Sequence, residues 1–296
     1  MKAKSLKLGY FYIILSAVLF GCMPLLARKI YAEGVNSMTL VFFRNAMSLP
    51  FLAGLAALKR ESFSVSPKKL LPVLTIGVFG CALTPYLLFS SYNYINGGTA
   101  TVLHFVYPAV VLLLEFIFLR GNVNRVSVGA ILLCLVGIGL FYNPAEGINF
   151  TGSVFALSSG VTYAIYIFLL GRFDRGGMGG YVFAFLVTLG STIVLGLVCL
   201  ITGSFAFPST LLGWVLCIAF ALLINVGAVV LFQSGTFIIG GQKASILSTF
   251  EPITSLVVCF FAFSEKPTWL SLVGAVLVIA ATVILAVFDG KKAKSE

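Results

Sequence analysis

Charge is what this chain has least of. Only 9% of its 296 residues are Asp, Glu, Lys or Arg, while 60% are hydrophobic, and a water-soluble fold of that balance could not cover its apolar surface. The fingerprints of catalysis are missing too. There is no Walker phosphate loop, no HExxH, no GxSxG and no glycine-rich dinucleotide turn, and no connection is long enough to hold a catalytic domain. ATP-driven work and the common hydrolytic and redox chemistries are therefore excluded as readings, and neither cofactor nor metal is expected. The six cysteines (Cys22, Cys81, Cys134, Cys199, Cys217, Cys259) stand singly inside apolar runs without CxxC spacing. They read as small packing residues rather than as disulfide or zinc partners.

What fills the chain instead is a series of apolar runs of about twenty residues, each long enough to cross a hydrocarbon core of roughly 30 Å as a helix. Ten spans are expected: 9–31, 37–58, 70–93, 98–119, 125–143, 151–171, 180–203, 210–234, 240–263 and 268–288. The first follows Lys2, Lys4 and Lys7 like a signal peptide, but its apolar stretch is too long and lacks a small-residue cleavage site, so it reads as an uncleaved helix.

The formal net charge of +10 would suggest nucleic acid in a soluble protein, but its distribution points elsewhere. With the N-terminus inside, fifteen basic residues fall on the cytoplasmic segments, three (Arg28, Lys29, Lys266) fall outside, and Arg44 lies within a span. That asymmetry puts both termini in the cytoplasm of a multi-pass inner-membrane protein. No basic stripe is left over for nucleic acid.

The chain also repeats itself at a spacing of about 143 residues. YLLFSSYNYINGGTATVLHFVYP, ending at Pro108, aligns with VVLFQSGTFIIGGQKASILSTFEP, ending at Pro252, and SVGAILL from Ser127 aligns with SLVGAVL from Ser271. The expected fold class is an all-α integral membrane protein of ten transmembrane helices arranged as two five-helix repeats, residues 1–146 and 147–296. An odd number of helices per copy makes the second enter from the opposite face, so the repeats are inverted. Inverted repeats supply the two exchangeable states of alternating access. A secondary transporter is the leading expectation, with a flippase for a lipid-linked intermediate or a passive channel as alternatives.

These features resemble the EamA-type members of the drug/metabolite transporter superfamily. The resemblance rests on the two five-helix repeats, Gly97 and Gly98 with their counterparts Gly240 and Gly241, the proline a dozen residues on in each copy, and SEKPTWLSLVGAVLV with Glu265 near the end. It implies a central cavity at the repeat interface, lined mainly by helices one, three, four, six, eight and nine, and a small metabolite as cargo.

Glu251 is the sharpest site residue, because a carboxylate halfway along a span is costly unless paired, protonated or beside water. Pro252 follows it and leaves the carbonyl of Ser248 without its helical partner. The matching pair is Tyr107 and Pro108, with His104, the only histidine, one turn earlier where Ser248 stands in the second copy. His104 and Tyr107 share one face, as do Ser248 and Glu251. Glu251 and His104 are thus the residues to couple a proton, although a lone histidine can equally hydrogen-bond a neighbouring helix. Phe20, Tyr86, Asn93, Tyr163, Tyr166, Asn225 and Gln233 complete the expected substrate site, beside Ser16, Ser90, Ser159 and Thr162, which can also simply tie helices together. Arg44 is expected to snorkel to the interface, Glu115 to pair with Arg120, and Glu265 to cap the tenth helix. The expected partners are a small-molecule substrate, the lipid bilayer and a coupling proton, with the chain acting as a monomer or homodimer.

Overall fold

The computed structural model describes residues 2–119, 125–140, 149–248, 250–263 and 268–292. Among these there is no strand. Eight helices are long and apolar enough to cross a membrane: α1 (Leu6–Ala32), α2 (Ser37–Leu58), α3 (Pro67–Ser91), α4 (Gly97–Phe118), α6 (Phe150–Arg172), α7 (Gly180–Thr202), α8 (Leu211–Ile239) and α9 (Gly241–Ala262). Two further helices, α5 (Arg125–Gly139) and α10 (Trp269–Lys292), carry shorter apolar stretches and complete the ten. Large apolar side chains such as Leu200, Ile201, Leu211 and Phe261 point outward from the bundle, as a surface solvated by lipid tails requires.

The eighth span was expected to stop at residue 234, but the helix continues to Ile239. Its last turn carries Phe237, which packs edge-on against Phe183 with ring centroids 5.2 Å apart. Gly240 then ends it at φ +87, a conformation open to glycine and strained for any other residue.

Proline and local unwinding shape the interior. α1 is interrupted at Cys22, where the ring of Pro24 cannot pack against the Phe20 carbonyl and has no N–H to offer. α3 loosens into a π-helical stretch, Val78–Leu83, and α8 into another, Ala221–Val229. These starts lie 143 residues apart, the spacing of the sequence repeat. α4 breaks at Phe105 and Val106 ahead of Pro108, and α9 breaks at Ser248 ahead of Pro252. Each copy therefore bends its third and fourth helices in the same places.

Packing follows the same symmetry. α1 lies against α8 and α9, while α6 lies against α3 and α4; α2 pairs with α7, α4 with α9, and α5 with α10. Exchanging the halves maps this set of neighbours onto itself. Small residues allow the close approaches: a Cβ on Gly160 would overlap the His104 carbonyl, and one on Gly77 would overlap the Val187 carbonyl. Hydroxyls tie the helices across the halves. Ser16 Oγ donates to the Ala228 carbonyl at 2.8 Å, Ser191 Oγ to the Gly77 carbonyl at 2.8 Å, and Ser255 Oγ to Thr101 Oγ1 at 3.0 Å. Such bonds contribute roughly 0.6 kcal/mol apiece within lipid.

The short connections are tied as well. At one end Glu33 accepts from the Thr210 hydroxyl at 2.5 Å, and its carbonyl accepts from the Ser209 backbone at 3.0 Å, while Asn36 Nδ2 donates to the Ser204 carbonyl at 2.7 Å. At the other end Lys69 bridges to Asp174 Oδ2 at 3.1 Å, and Glu61 Oε2 accepts from the Val182 backbone N–H at 2.9 Å in the first turn of α7.

Candidate functional site

Between the two copies lies a cavity where helices of both halves meet, lined by rings with a few polar groups among them. Its walls come from α1, α2, α3, α4, α6, α8 and α9. Aromatic rings form much of the lining. Phe20 faces Phe232 across 6.4 Å, Tyr163 stacks on Tyr166 at 5.6 Å, and Phe232 packs against both tyrosines at 5.7 and 6.1 Å. Gly80, in the π-helical stretch of α3, supplies the space for this arrangement, since a Cβ there would run into the Tyr166 ring.

One pole of the cavity is built on the two breaks. Glu251 lies in the first turn after the break in α9 and is only 2% exposed. Its backbone N–H donates to the Ser248 carbonyl at 2.9 Å, so the carbonyl released by Pro252 is taken up in a tight turn. Tyr92, Tyr107 and Tyr163 surround the carboxylate within electrostatic reach. His104 lies across from it on α4, its ring 5.3 Å from those of both Tyr107 and Tyr163. His104 Nδ1 and Ser159 Oγ are 2.7 Å apart, and Ser159 in turn donates its only proton to the Ala156 carbonyl at 2.6 Å. Nδ1 must therefore carry the donor hydrogen, which leaves the lone pair at Nε2. His104 thus lines the cavity and also bonds a neighbouring helix.

The opposite pole corrects the sequence. Arg44, expected at the interface, is buried at 3% exposure and faces the same cavity as Glu251. Seven residues from Ser37 place it about 10 Å from the end of α2, within snorkelling range, but α2 turns its side chain inward toward α3. There Pro85 has freed the carbonyl of Cys81. Asn45 Nδ2 donates to that carbonyl at 2.8 Å and Arg44 at 3.3 Å, and the guanidinium sits 5.8 Å from the Phe89 ring centroid.

Of the residues expected in the site, Glu251, His104, Tyr163, Tyr166 and Phe20 line the cavity. Tyr107, Ser248 and Gln233 stand just behind it. Tyr107 is fully buried against His104 and Tyr163, Ser248 Oγ donates to the Ala244 carbonyl at 2.9 Å, and the Gln233 amide lies beside Tyr166. The remaining three lie elsewhere. Asn225 Nδ2 donates to Asn45 Oδ1 at 2.8 Å and to Ser48 Oγ at 3.1 Å, an amide clamp between α8 and α2. Asn93 is exposed in the turn after α3, and Tyr86 is half-buried in the packing away from the cavity. Thr162 bonds Thr84 at 2.8 Å and Ser90 bonds Ser37 at 3.1 Å. Arg120 and Glu265, and with them the expected Glu115 pair and the α10 cap, lie outside the described residues.

Chains of similar pattern are known. A protein of Archaeoglobus fulgidus described as an uncharacterized transporter is 27% identical over 95% of this chain and 97% of its own. The uncharacterized inner membrane transporter YicL of Salmonella typhimurium is 25% identical over 98% and 99%. Solute carrier family 35 member G1 of Mus musculus is 24% identical over 95% and 78%. A solved crystal structure superposes with a TM-score of 0.70 at 18% identity, covering 97% of this chain and 98% of its own, a likeness of fold. The pattern of the EamA-like transporter family matches residues 7–143 and again 150–287, once for each copy. Two matches spanning the ten helices establish this chain as a multi-pass membrane protein of the EamA-like transporter family, built to move a small solute.

Proposed function

We propose that the protein is a secondary active transporter of the inner membrane that moves a small polar or amphipathic metabolite by alternating access, with residues 1–146 and 147–296 as inverted copies that exchange conformations. The observation that carries this reading is Glu251, a carboxylate buried inside a cavity, placed where a proline break loosens α9. A carboxylate in that position is expensive to keep, and it takes up a proton or the positive end of the cargo. His104, with its lone pair at Nε2, is the second proton carrier. The charge asymmetry of the loops supports an orientation with both termini in the cytoplasm. One chain encloses the cavity with its own helices, so a monomer suffices as the transporting unit.

The test is uptake into proteoliposomes carrying wild-type protein or Glu251→Gln. The wild type should transport with a rate that changes with pH, and the variant should lose both the rate and its pH dependence. Unchanged transport and pH profile in Glu251→Gln would remove the residue from the mechanism.

A further inference from the structure

Arg44 has more charge than its surroundings answer. Among the described residues no carboxylate stands within bridging distance of the Arg44 guanidinium. Its Nε is buried without a hydrogen-bond partner. One terminal nitrogen reaches the Cys81 carbonyl, but Asn45 already makes the shorter bond to that oxygen. A guanidinium carries five N–H donors in a planar fork and does not give up its charge in proteins. Most of that fork therefore stands unused in a buried site, beside the cavity that Arg44 shares with Glu251.

The lining is polarised along one direction. Cys81, Tyr166 and Tyr163 neighbour Arg44, whereas Tyr92, Tyr107 and Tyr163 neighbour Glu251, so Tyr163 stands between the two charges. Its hydroxyl too is buried without a partner. Between the poles the walls are rings. Burying a lone cation costs several kcal/mol unless a partner arrives, and an oxyanion is what the fork is shaped to receive in two parallel bonds.

We infer that Arg44 is the oxyanion receptor of the transport cavity, and that the cargo is a compact molecule bearing a carboxylate-type group at one end of an apolar or aromatic body. The inference rests on the proposed role of the cavity and deepens it. With Glu251 at the other pole, the far end of such a cargo carries an ammonium group, or a proton travels beside it. Either arrangement neutralises both poles at once, which is when a charged cavity can reorient across a membrane at least cost.

Thermal stabilisation of the purified full chain tests this, because a ligand held by the folded state raises the melting temperature by mass action. Four probes share one aromatic body: phenylalanine, 3-phenylpropionate, phenethylamine and benzylphosphonate. The same set of charges on indolyl and isobutyl bodies covers the choice of apolar group. Carboxylate- or phosphonate-bearing members should stabilise the wild type, with the phosphonate separating tetrahedral from planar oxyanions. In Arg44→Gln their apparent affinity should fall about tenfold or more, and Arg44→Lys, which keeps the charge but not the fork, should fall between the two. Stabilisation by amines persisting in Arg44→Gln shows that this variant is folded. Binding of amines alone, or oxyanion binding equal in wild type and Arg44→Gln, would overturn the inference while leaving the Glu251 reading intact. Oxyanion binding lost on Arg44→Gln together with full indifference to Glu251→Gln would do the reverse.

Discussion

In α4 the backbone unwinds at Phe105 and Val106, one step after a histidine; in α9 it unwinds at Ser248, just ahead of a glutamate. Both breaks precede a proline, and both are packed by a glycine of the opposite copy. Gly160 on α6 lies against the His104 carbonyl, and Gly21 on α1 lies against Thr254 and the Glu251 carbonyl. The shape is thus duplicated and the chemistry is not. At the first break the titratable ring is held by a hydrogen bond to Ser159 on a helix of the other copy, and the position matching Glu251 is an uncharged tyrosine. At the second, the acid sits at a helix start inside the cavity. The difference teaches that the repeat duplicates the backbone breaks and their packing, while the residues that could bind or titrate differ between the copies. Under the proposed alternating access, the breaks would serve as hinges and the unmatched residues would set cargo and coupling.

The comparison can be broken most forcefully at its chemical member. Glu251→Gln should lower proteoliposome uptake on the order of a hundredfold, the scale of losing one charge from a buried interacting set; Tyr107→Phe, at the matching position, should cost less than about threefold. A next smaller effect probes the shared geometry. Gly160→Val and Gly21→Val should each destabilise the folded chain by about 1–3 kcal/mol through overpacking, read as comparable losses in thermal stability. If only one of the two does so, the breaks are not equivalent in packing. Ser159→Ala removes the bond that fixes the His104 tautomer and should cost about 1 kcal/mol, with a severalfold change in transport and an altered pH profile.

The smallest effect lies outside the membrane. The N–H of Gly176, and after it Lys69, hold the Asp174 carboxyl below its ordinary value. A carboxyl lowered in the folded chain contributes its stabilisation above its ordinary pKa and loses it as pH falls through the lowered value. Asp174→Asn should therefore leave the melting temperature near pH 7 almost unmoved and remove a slight dependence on acid below about pH 4.

Much of this was legible from residue order. Apolar run lengths located the helices, the 143-residue spacing located both the family and the paired breaks, and Glu251 stood out because an acid in mid-span requires a reason. What residue order could not supply was rotation about the helix axis. Arg44 lies near enough to the end of α2 for its charge to reach an interface, and nothing along α2 alone says that it turns the other way. The cause lies on another helix, where Pro85 frees a carbonyl and the π-helical stretch of α3 opens room for the guanidinium. The placement of Asn225 was hidden for the same reason, since its partners Asn45 and Ser48 are remote in sequence. Asn93 and Tyr86 lie near the end of α3, where half a turn decides between cavity and exterior.

Alternating access, as proposed, requires that one cavity between the two copies open in turn to each side of the membrane. Cys81 lines that cavity and offers a native reporter. With the other five cysteines replaced, a membrane-impermeant maleimide applied to oriented vesicles should label Cys81 from either face, with each face favoured under a different gradient. Labelling confined to one face under every gradient would contradict alternating access.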